Sequence, residues 1–411
     1  MSTETIFFII VSIFLFETLL TKFLSYLNTT RWSDEIPEEL KGIYDEEKYA
    51  KSQKYDRRKY KFGLISSSVS FVIMVLVLIL WGFWALDVFL RSYTENPILL
   101  ALAFFGVVSL LSTLVSLPFS YYGTFVIEEE FGFNKMTRKL FFLDMLKSTL
   151  LSYLIGGTLL SLIVWIYLMM GANFWIYAWL LSMGVSLFFM MFYSSLIVPL
   201  FNKQTPLEDG ELKDAIVSFA EKVWFTGTDI YVIDGSKRSS KANAYFSGFW
   251  PKKRIVLFDT LIKDLTTEEL VAVLAHEIGH SKKRHTLQMF MLSSVQTWLM
   301  LYILGVALAV PEVSFALGAS ETSFHIGVVA FWFLFTPLSF VFGMISSVLS
   351  RKNEYEADDY ARVNYSGEHL QNALIKLSRN NLSNLRPHPA YEFFYYSHPT
   401  VLKRLEALKS S

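Results

Sequence analysis

Long apolar stretches alternate with polar segments along most of this 411-residue chain. A helix needs about 20 apolar residues to cross roughly 30 Å of hydrocarbon. Seven stretches approximately meet this requirement, at residues 4–27, 64–90, 97–123, 141–170, 174–201, 286–311 and 326–349. One such stretch is compatible with a buried core helix of a soluble protein, but seven in one chain predict a mainly α, polytopic membrane protein. The first stretch has no basic n-region and no small-residue cleavage site, so we interpret it as a retained span.

Lysine and arginine are distributed unevenly between the polar segments. The segments at 28–63, 202–285 and 350–411 are rich in both residues, whereas the short loops at 171–173 and 312–325 contain neither. Because cytoplasmic loops carry the excess of basic residues, the pattern predicts that the N-terminus is outside and that the large polar segments and the C-terminus face the cytosol.

Three Asn-x-Ser/Thr sequons begin at Asn28, Asn364 and Asn381. All three lie on the cytosolic side of the predicted topology, so we expect none to be glycosylated. The loop at 312–325 is short and contains no lysine or arginine, so we expect no ordered domain on the outer face.

Composition narrows the possible chemistry. Apolar residues make up 53% of the chain and charged residues 18%, against about 45–50% and about 25% in soluble domains. The formal net charge is zero, so no overall basic field attracts nucleic acid. The chain has no cysteine, and any metal site therefore has to use histidine and carboxylate ligands.

The segment 202–285 has the pattern of a small mixed domain. An amphipathic helix is predicted after the polar start at 202–210, and strands rich in Val, Ile, Tyr and Phe follow it. The sequences "NAYFSGF" and "KRIVLF" flank a Pro-containing turn and predict a β-hairpin. A further helix begins after Thr266 or Thr267, either of which can cap it, with Glu268 and Glu269 in its first turn.

That helix carries the motif HExxH. His276 and His280 are four residues apart and therefore lie on one face of the helix, one turn apart, where both imidazoles can reach one ion at about 2.0–2.1 Å. Glu277 lies beside the first ligand, where it can deprotonate water. His285 is nine residues from His276, which predicts the opposite face, so we exclude it as a ligand. The alternative interpretation is a helix end with solvated charges before the sixth span.

A third ligand is predicted in "SRKNEYEADDYA", directly after the seventh span. Glu354 and Asp358 share one helix face, whereas Glu356 is predicted to face away. Glu354 as the ligand, with Asp358 orienting a histidine, divides the roles sensibly. A charged helix end is the alternative for this stretch alone. Because the sixth and seventh spans form an antiparallel hairpin, their cytosolic ends bring Glu354 close to the HExxH histidines.

His388 and His398 lie in the C-terminal tail. His398 directly precedes a short predicted helix, and an imidazole near the metal can stabilise an oxyanion. On local sequence alone, the favoured interpretation is that both are surface histidines.

The chain resembles the type I CAAX prenyl proteases, which are integral-membrane zinc metallopeptidases. The resemblance covers nearly the whole length. It rests on six blocks in the family's order: "IEEEFGFNKMT", "LEDGELKDAI", "NAYFSGFWPKKRIVLFDTLI", "VAVLAHEIGH", "SRKNEYEADDYA" and "YSHPTVLKRLEAL". It implies seven transmembrane helices enclosing a large chamber, closed on the cytosolic side by a zincin-like metalloprotease domain. The expected division is a membrane domain at 1–201 and a protease domain with the last two spans at 202–411.

The resemblance also assigns residues. It implies one Zn²⁺ per chain, bound by His276, His280 and Glu354, with Glu277 as the general base. It further implies that Asn243 and His398 hold the substrate or the transition state. The hairpin edge at Ala244, Tyr245 and Phe246 is expected to pair with an extended peptide by strand addition. For Arg404, binding of a substrate or structural carboxylate and a buried salt bridge with a helix acid both stay open.

The implied reaction is removal of the C-terminal tripeptide from prenylated CaaX proteins or peptides. A membrane quality-control protease that acts on misfolded or translocon-stalled proteins is the alternative enzyme. A non-enzymatic transporter or scaffold is a further alternative, although charges are scarce within spans two to seven. The expected partners are the prenylated substrate and the lipid bilayer, with no nucleic acid. The expected location is the endoplasmic reticulum membrane of a eukaryote or the inner membrane of a bacterium.

Overall fold

The structure is a computed structural model that describes residues 1–225, 229–247 and 254–410. Helices dominate the described residues. They are α1 (Thr3–Thr29), α2 (Glu46–Ile79), α3 (Gly82–Arg91), α4 (Pro97–Tyr122), α5 (Arg138–Met170), α6 (Phe174–Leu196), α7 (Glu211–Lys222), α8 (Asp259–Asp264), α9 (Thr267–Lys282), α10 (His285–Leu308), α11 (Pro311–Phe315), α12 (Phe324–Ala361), α13 (Gly367–Asn380), α14 (Pro389–Tyr395) and α15 (Val401–Ser410). The strands are β1 (Gln204–Pro206), β2 (Asp229–Ile233), β3 (Ala244–Ser247) and β4 (Arg254–Phe258).

Within the described ranges, six helical runs are long and apolar enough to cross a membrane. They are Thr3–Thr29, Glu46–Ile79, Pro97–Glu128, Arg138–Leu200, His285–Leu308 and Phe324–Asn380. The fourth run contains two of the stretches predicted from the sequence, because α5 and α6 are joined by a single 3₁₀ turn at Gly171–Asn173. The chain is therefore a multi-pass membrane protein with a mainly helical fold.

The second predicted stretch, 64–90, is not one helix. The helix α2 starts earlier, at Glu46, and ends at Ile79; Trp81 then takes the left-handed conformation with φ 54° before α3 begins. Hydropathy does not detect this break, because the residues on both sides of it are apolar. The short α3 instead turns Phe83, Asp87 and Leu90 into the core formed with α1, α4 and α12.

An ion-paired cluster fastens α3 to the start of α12. The imidazole Nε2 of His325 lies 2.6 Å from Oδ1 of Asp87, and Nε of Arg91 lies 2.9 Å from Oδ2 of the same carboxylate. His325 and Asp87 are each only 2% exposed. Because Asp87 is paired on both oxygens, its charge is compensated within the apolar core.

The described strands form one four-stranded sheet in the order β1-β2-β4-β3. The strands β2 and β4 are parallel, whereas β1 and β3 run antiparallel to their neighbours. The predicted hairpin is confirmed as the β3–β4 pair, in which Ala244 is opposite Leu257. The Pro-containing turn predicted between these strands lies outside the described residues. As an edge strand, β3 has one side free of strand partners within the sheet.

The helix α9 is the centre of the core that the sheet forms with the surrounding helices. Of its nine side chains from Leu270 to Ile278, seven are apolar and buried, and the other two are the buried His276 and the half-buried Glu277. It packs against α7, α12 and α13, and its apolar residues join those of the sheet in one core cluster. Glu269 fastens it to α13 through Lys376 Nζ at 2.8 Å. The HExxH motif is thus carried by the most completely surrounded helix of this domain.

Candidate metal centre

The start of α9 is fixed by its sequence. The Thr266 hydroxyl accepts a hydrogen bond from the Glu269 backbone N–H at 3.3 Å, and the Glu269 carboxylate accepts one from the Thr266 N–H at 2.9 Å. This reciprocal capping box satisfies two of the free N–H groups at the helix start. It fixes where the helix begins, and His276 and His280 lie on one face of that helix because they are four residues apart.

The third predicted ligand is on a different helix. Glu354 is part of α12, which continues without interruption from an apolar half into the polar stretch around Asp358. The close approach of α12 to α9 depends on Gly279. A Cβ atom at that position would lie 3.1 Å from Cβ of Tyr360 and 3.2 Å from the Ala357 backbone. The absence of a side chain at Gly279 therefore allows the two helices to touch beside the motif.

Three side chains converge with the spacing of a metal site. Nε2 of His276 and Nε2 of His280 are 3.2 Å apart, and they lie 3.5 Å and 3.3 Å from the two carboxylate oxygens of Glu354. Four ligands arranged tetrahedrally at 2.0–2.1 Å from Zn²⁺ are separated from one another by about 3.3 Å. The three predicted ligands therefore have the separation that this ion requires, and a fourth position is left for water or substrate.

Asp358 and Arg404 orient His276 from the side of the ring opposite its predicted ligand atom. Nδ1 of His276 lies 2.8 Å from Oδ1 of Asp358, so the imidazole donates its Nδ1 proton to the carboxylate and leaves Nε2 as the ligand atom. Arg404 binds both oxygens of Asp358, at 2.8 Å and 2.6 Å, and reaches Glu354 at 3.2 Å. Since Arg404 is only 8% exposed, the geometry favours the buried salt bridge over the binding of a substrate carboxylate.

Glu277 follows the first ligand and is half-buried in the site. Burial raises the pKa of its carboxyl, while the neighbouring His276 and His280 lower it. A carboxylate with a raised pKa is suited to accept a proton from water and pass it on. The structure therefore places the predicted general base in an environment that fits the role.

His398 reaches the site, whereas His388 does not. Nδ1 of His398 lies 3.0 Å from Oε1 of Glu354, and 64% of its side chain is exposed. Its hydrogen bond to Glu354 raises the pKa of His398, which favours the imidazolium form. His388 instead caps α14, where its Nδ1 accepts a hydrogen bond from the Ala390 N–H at 3.2 Å.

The predicted substrate-binding edge is in place, but its side chains differ in their surroundings. Asn243 is exposed, and its side-chain oxygen accepts a hydrogen bond from the Ala244 N–H at 2.9 Å. Ala244 packs against the core cluster around α9. The hydroxyl of Tyr245 lies 3.5 Å from Oγ of Ser194, so this ring points towards α6. The backbone of Phe246 is part of β3, while its side chain lies outside the described atoms.

The placement expected for His285 was wrong. The prediction from the nine-residue separation assumes one continuous helix, but α9 ends at Lys282 and Arg284 adopts φ 60°, so α10 starts in a new direction. Nδ1 of His285 consequently lies 2.9 Å from Nδ1 of His280. Glu356 does face away from the three ligands, as expected, and it contacts Nε2 of His285 at 3.2 Å. Sequence periodicity gave no signal for this contact, because nothing in "HSKKRH" marks the left-handed residue.

Comparison with known proteins gives consistent matches over the whole chain. The family model described as CAAX prenyl protease N-terminal, five membrane helices, matches residues 25–203, and that of peptidase family M48 matches residues 206–411. CAAX prenyl protease 1 of Saccharomyces cerevisiae is 39% identical over 94% of this chain and 91% of its own length. CAAX prenyl protease 1 homolog of Homo sapiens is 34% identical over 97% and 93%. The crystal structure of S. mikatae Ste24p superimposes with a TM-score of 0.92 at 37% identity, covering 98% of this chain and 99% of that one.

Proposed function

The chain belongs to the CAAX prenyl proteases of peptidase family M48, and from this membership we propose that it removes the C-terminal tripeptide from prenylated CaaX peptides with one bound Zn²⁺. It is a multi-pass membrane metallopeptidase. The relatives named above are CAAX prenyl proteases, and they do not favour a quality-control protease. A transporter or scaffold is not supported, because the donor set of a peptidase site is complete.

The observation that carries the proposal is the donor spacing of 3.2–3.5 Å among His276, His280 and Glu354. These three form a metal-competent cluster among the described residues. A bound Zn²⁺ supplies Lewis-acid polarisation of the scissile carbonyl and lowers the pKa of water. Two imidazoles and one carboxylate are a common donor set for catalytic zinc in peptidases.

The remaining roles belong to the chain itself. Glu277 accepts the proton of the attacking water and transfers it to the leaving amine. The exposed side chains of His398 and Asn243 bind the peptide and stabilise the developing oxyanion. The free edge of β3, at Ala244, Tyr245 and Phe246, binds the substrate in extended form through backbone hydrogen bonds.

We propose that seven helices cross the membrane. Support comes from α5 and α6, which are separate helices of 33 and 23 residues despite the short turn between them. The proposed domains are 1–201 and 202–411, close to the matched ranges 25–203 and 206–411. The basic loops support a cytosolic protease domain and an outer N-terminus, and eukaryotic relatives support the endoplasmic reticulum membrane.

A chamber within the membrane domain is supported by a cavity of about 820 Å³ between α1 and α2. Polar and charged side chains that include Glu17, Lys22 and Lys59 line it, and Tyr396, two residues before His398, contributes to its wall. A prenyl chain gains roughly 0.8 kcal/mol per buried CH₂, so a prenylated peptide partitions into the bilayer. A chamber in the membrane places the protease where such a peptide is concentrated.

The test is cleavage of a farnesylated CaaX peptide beside its unprenylated twin by the detergent-solubilised protein. We expect only the farnesylated peptide to lose its last three residues. Equal cleavage of both peptides would favour the quality-control alternative. If neither peptide is cut although zinc is bound, the proposed substrate is wrong.

Glu277→Ala serves as the catalytic control in the same assay. Because it removes the proton acceptor but no ligand, we expect zinc to stay bound while turnover falls by at least about 10²-fold. Chelation of the metal abolishes cleavage by the unaltered chain. Retained turnover in Glu277→Ala contradicts the assignment of the general base.

A further inference from the structure

His285 is a buried histidine that the reaction described so far does not use. It is the first residue of α10 and only 4% exposed. Its two ring nitrogens have one neighbour each: Nδ1 is 2.9 Å from Nδ1 of His280, and Nε2 is 3.2 Å from Oε2 of Glu356. An unbroken series of contacts therefore runs from a predicted zinc ligand through His285 to a carboxylate at the protein surface.

The proton positions in this series follow from the ligand atom. Nε2 of His280 points towards His276 and Glu354, so it is the nitrogen that donates its lone pair to a metal. The proton of a neutral His280 is then on Nδ1, and it is donated to Nδ1 of His285. His285 consequently carries its own proton on Nε2 and donates it to Glu356. With both histidines neutral, only this arrangement gives each contact one donor and one acceptor.

We propose that His285 and Glu356 are positioning residues that fix the tautomer and ring orientation of His280 for the metal. The inference rests on the proposed zinc site. Metal-binding histidines generally donate their second ring N–H to a carboxylate, a carbonyl or water. His276 has this support directly from Asp358. His280 receives it through an intervening imidazole, because Glu356 is on the far side of His285.

The backbone conformation of Arg284, directly before His285, also supports this role. Arg284 has φ 60° and ψ 30°, in the left-handed region that a residue with a Cβ atom rarely adopts. That conformation ends α9 and turns α10 so that His285 packs back onto His280. Strained backbone of this kind is retained where the surroundings require it, commonly beside functional sites.

Glu356 offers the cleaner variant, because 38% of its side chain is exposed and its removal leaves no cavity in the core. We would measure the zinc affinity of full-length protein in detergent by competition with a chelator, without substrate. Glu356→Ala is expected to weaken zinc binding by about 10- to 100-fold, the range found for such supporting residues. Glu356→Gln is expected to restore most of the affinity, because its amide oxygen still accepts the His285 N–H.

His285→Ala and the double variant test whether the two residues act as one unit. We expect His285→Ala to weaken zinc binding to a similar extent, and the double variant to be no weaker than His285→Ala alone. The matched control is Lys352→Ala, which removes the other partner of Glu356, an exposed ammonium 3.7 Å away. It is expected to leave zinc affinity unchanged. Thermal melting of each variant checks that the fold is intact.

Zinc affinities of Glu356→Ala and His285→Ala within about 2-fold of the unaltered chain would overturn the proposal. So would a Glu356→Gln variant as weak as Glu356→Ala, since charge rather than hydrogen bonding would then matter. Additive losses in the double variant would show independent roles and equally contradict it. None of these readouts uses a peptide, so a wrong substrate assignment leaves this result standing.

Discussion

At the scale of single residues, Glu354 lies between the proposed metal-binding histidines and the proposed substrate-binding His398. Its carboxylate lies within 3.5 Å of His276 and His280, and it also contacts His398 and Arg404. Two of these partners, His276 and Arg404, are held by Asp358 of α12, and His280 is held by His285 of α10. The carboxylate is therefore held in position by protein groups, which lowers the cost of ordering it when an ion binds.

Replacement of Glu354 by alanine should remove the metal. Two histidines alone are an incomplete donor set for zinc, so we expect the purified variant to contain almost none. Atomic emission on protein purified in parallel with the unaltered chain measures this directly. An unchanged zinc content would show that the third ligand is another residue.

Arg404 should contribute both to the stability of the fold and to metal binding at the proposed site. It is buried between the carboxylates of Asp358 and Glu354, and removal of one partner from a buried ion pair costs about 3–5 kcal/mol. We expect Arg404→Ala to lower the melting temperature and weaken zinc binding. Arg404→Lys should recover only part of both, because an ammonium cannot bind a carboxylate with a planar fork.

Lys409→Ala is the control for Arg404, because it removes an exposed cation from the same helix. It should leave the melting temperature and the zinc affinity unchanged. Substitution of Arg404 without any change in melting temperature would mean that its ion pairs contribute little net stability.

The residue pairs whose proximity could be predicted from the sequence are those in which both residues belong to one helix. The pairs His276 with His280 and Glu354 with Asp358 follow from helical periodicity alone. The proximity of Glu354 to the histidines followed from the antiparallel spans. The predicted position of His285 was wrong, because the left-handed conformation of Arg284 ends one helix and starts the next in a new direction. The hydrophobic pattern gives no sign of this conformation.

At the scale of elements, the contact between α9 and α12 determines whether the ligands meet. Gly279 allows this contact, since a Cβ atom there would lie 3.1–3.2 Å from atoms of Tyr360 and Ala357. We expect Gly279→Ala to push the helices apart by a few tenths of an ångström and to weaken zinc binding severalfold. Gly279→Val should weaken it much further.

Gly343→Ala provides the matched control for that prediction. It changes a glycine of α12 whose added Cβ atom meets nothing within 4 Å. Zinc affinity and cleavage rate should equal those of the unaltered chain. If Gly279→Ala also behaved like the unaltered chain, the spacing of the two helices would not limit metal binding.

Hydropathy identified the long helices but not their ends. The stretch 64–90 was predicted as one span, yet the structure divides it at Trp81. Conversely, α12 continues beyond its apolar part for about three further turns, to Ala361, and carries Glu354 and Asp358. The apolar pattern shows which helix surfaces are kept from water. The ends of these helices depend instead on backbone dihedral angles and on polar contacts with other parts of the chain, which the pattern does not show.

At the scale of the whole molecule, the proposed orientation predicts which asparagines are modified. Expressed in a eukaryotic host, the chain should carry no glycan at Asn28, Asn364 or Asn381, because all three face the cytosol. Ser320→Asn creates an Asn-Glu-Thr sequon at an exposed position of the opposite face. That variant should gain a glycan detectable by gel mobility before and after endoglycosidase treatment.

Ser320→Asn combined with Thr322→Ala is the control, because it lacks the sequon threonine and should not shift. A glycan at any of the three native sequons would reverse the topology proposed for the segment that carries it. The fold class and the polytopic architecture follow from the sequence, because both depend on long apolar runs. The orientation depends on a statistical bias of basic residues and still requires this measurement.

The position of Arg404 in the chain has a consequence for biosynthesis. The ribosome makes His276 128 residues before Arg404, and the two acidic residues of α12 also emerge ahead of their guanidinium partner. Until α15 docks, the nascent protein has its paired carboxylates and histidines but lacks the cation that compensates them. The centre of the protease therefore reaches its final charge balance late in synthesis, after the last membrane-crossing helix has left the ribosome.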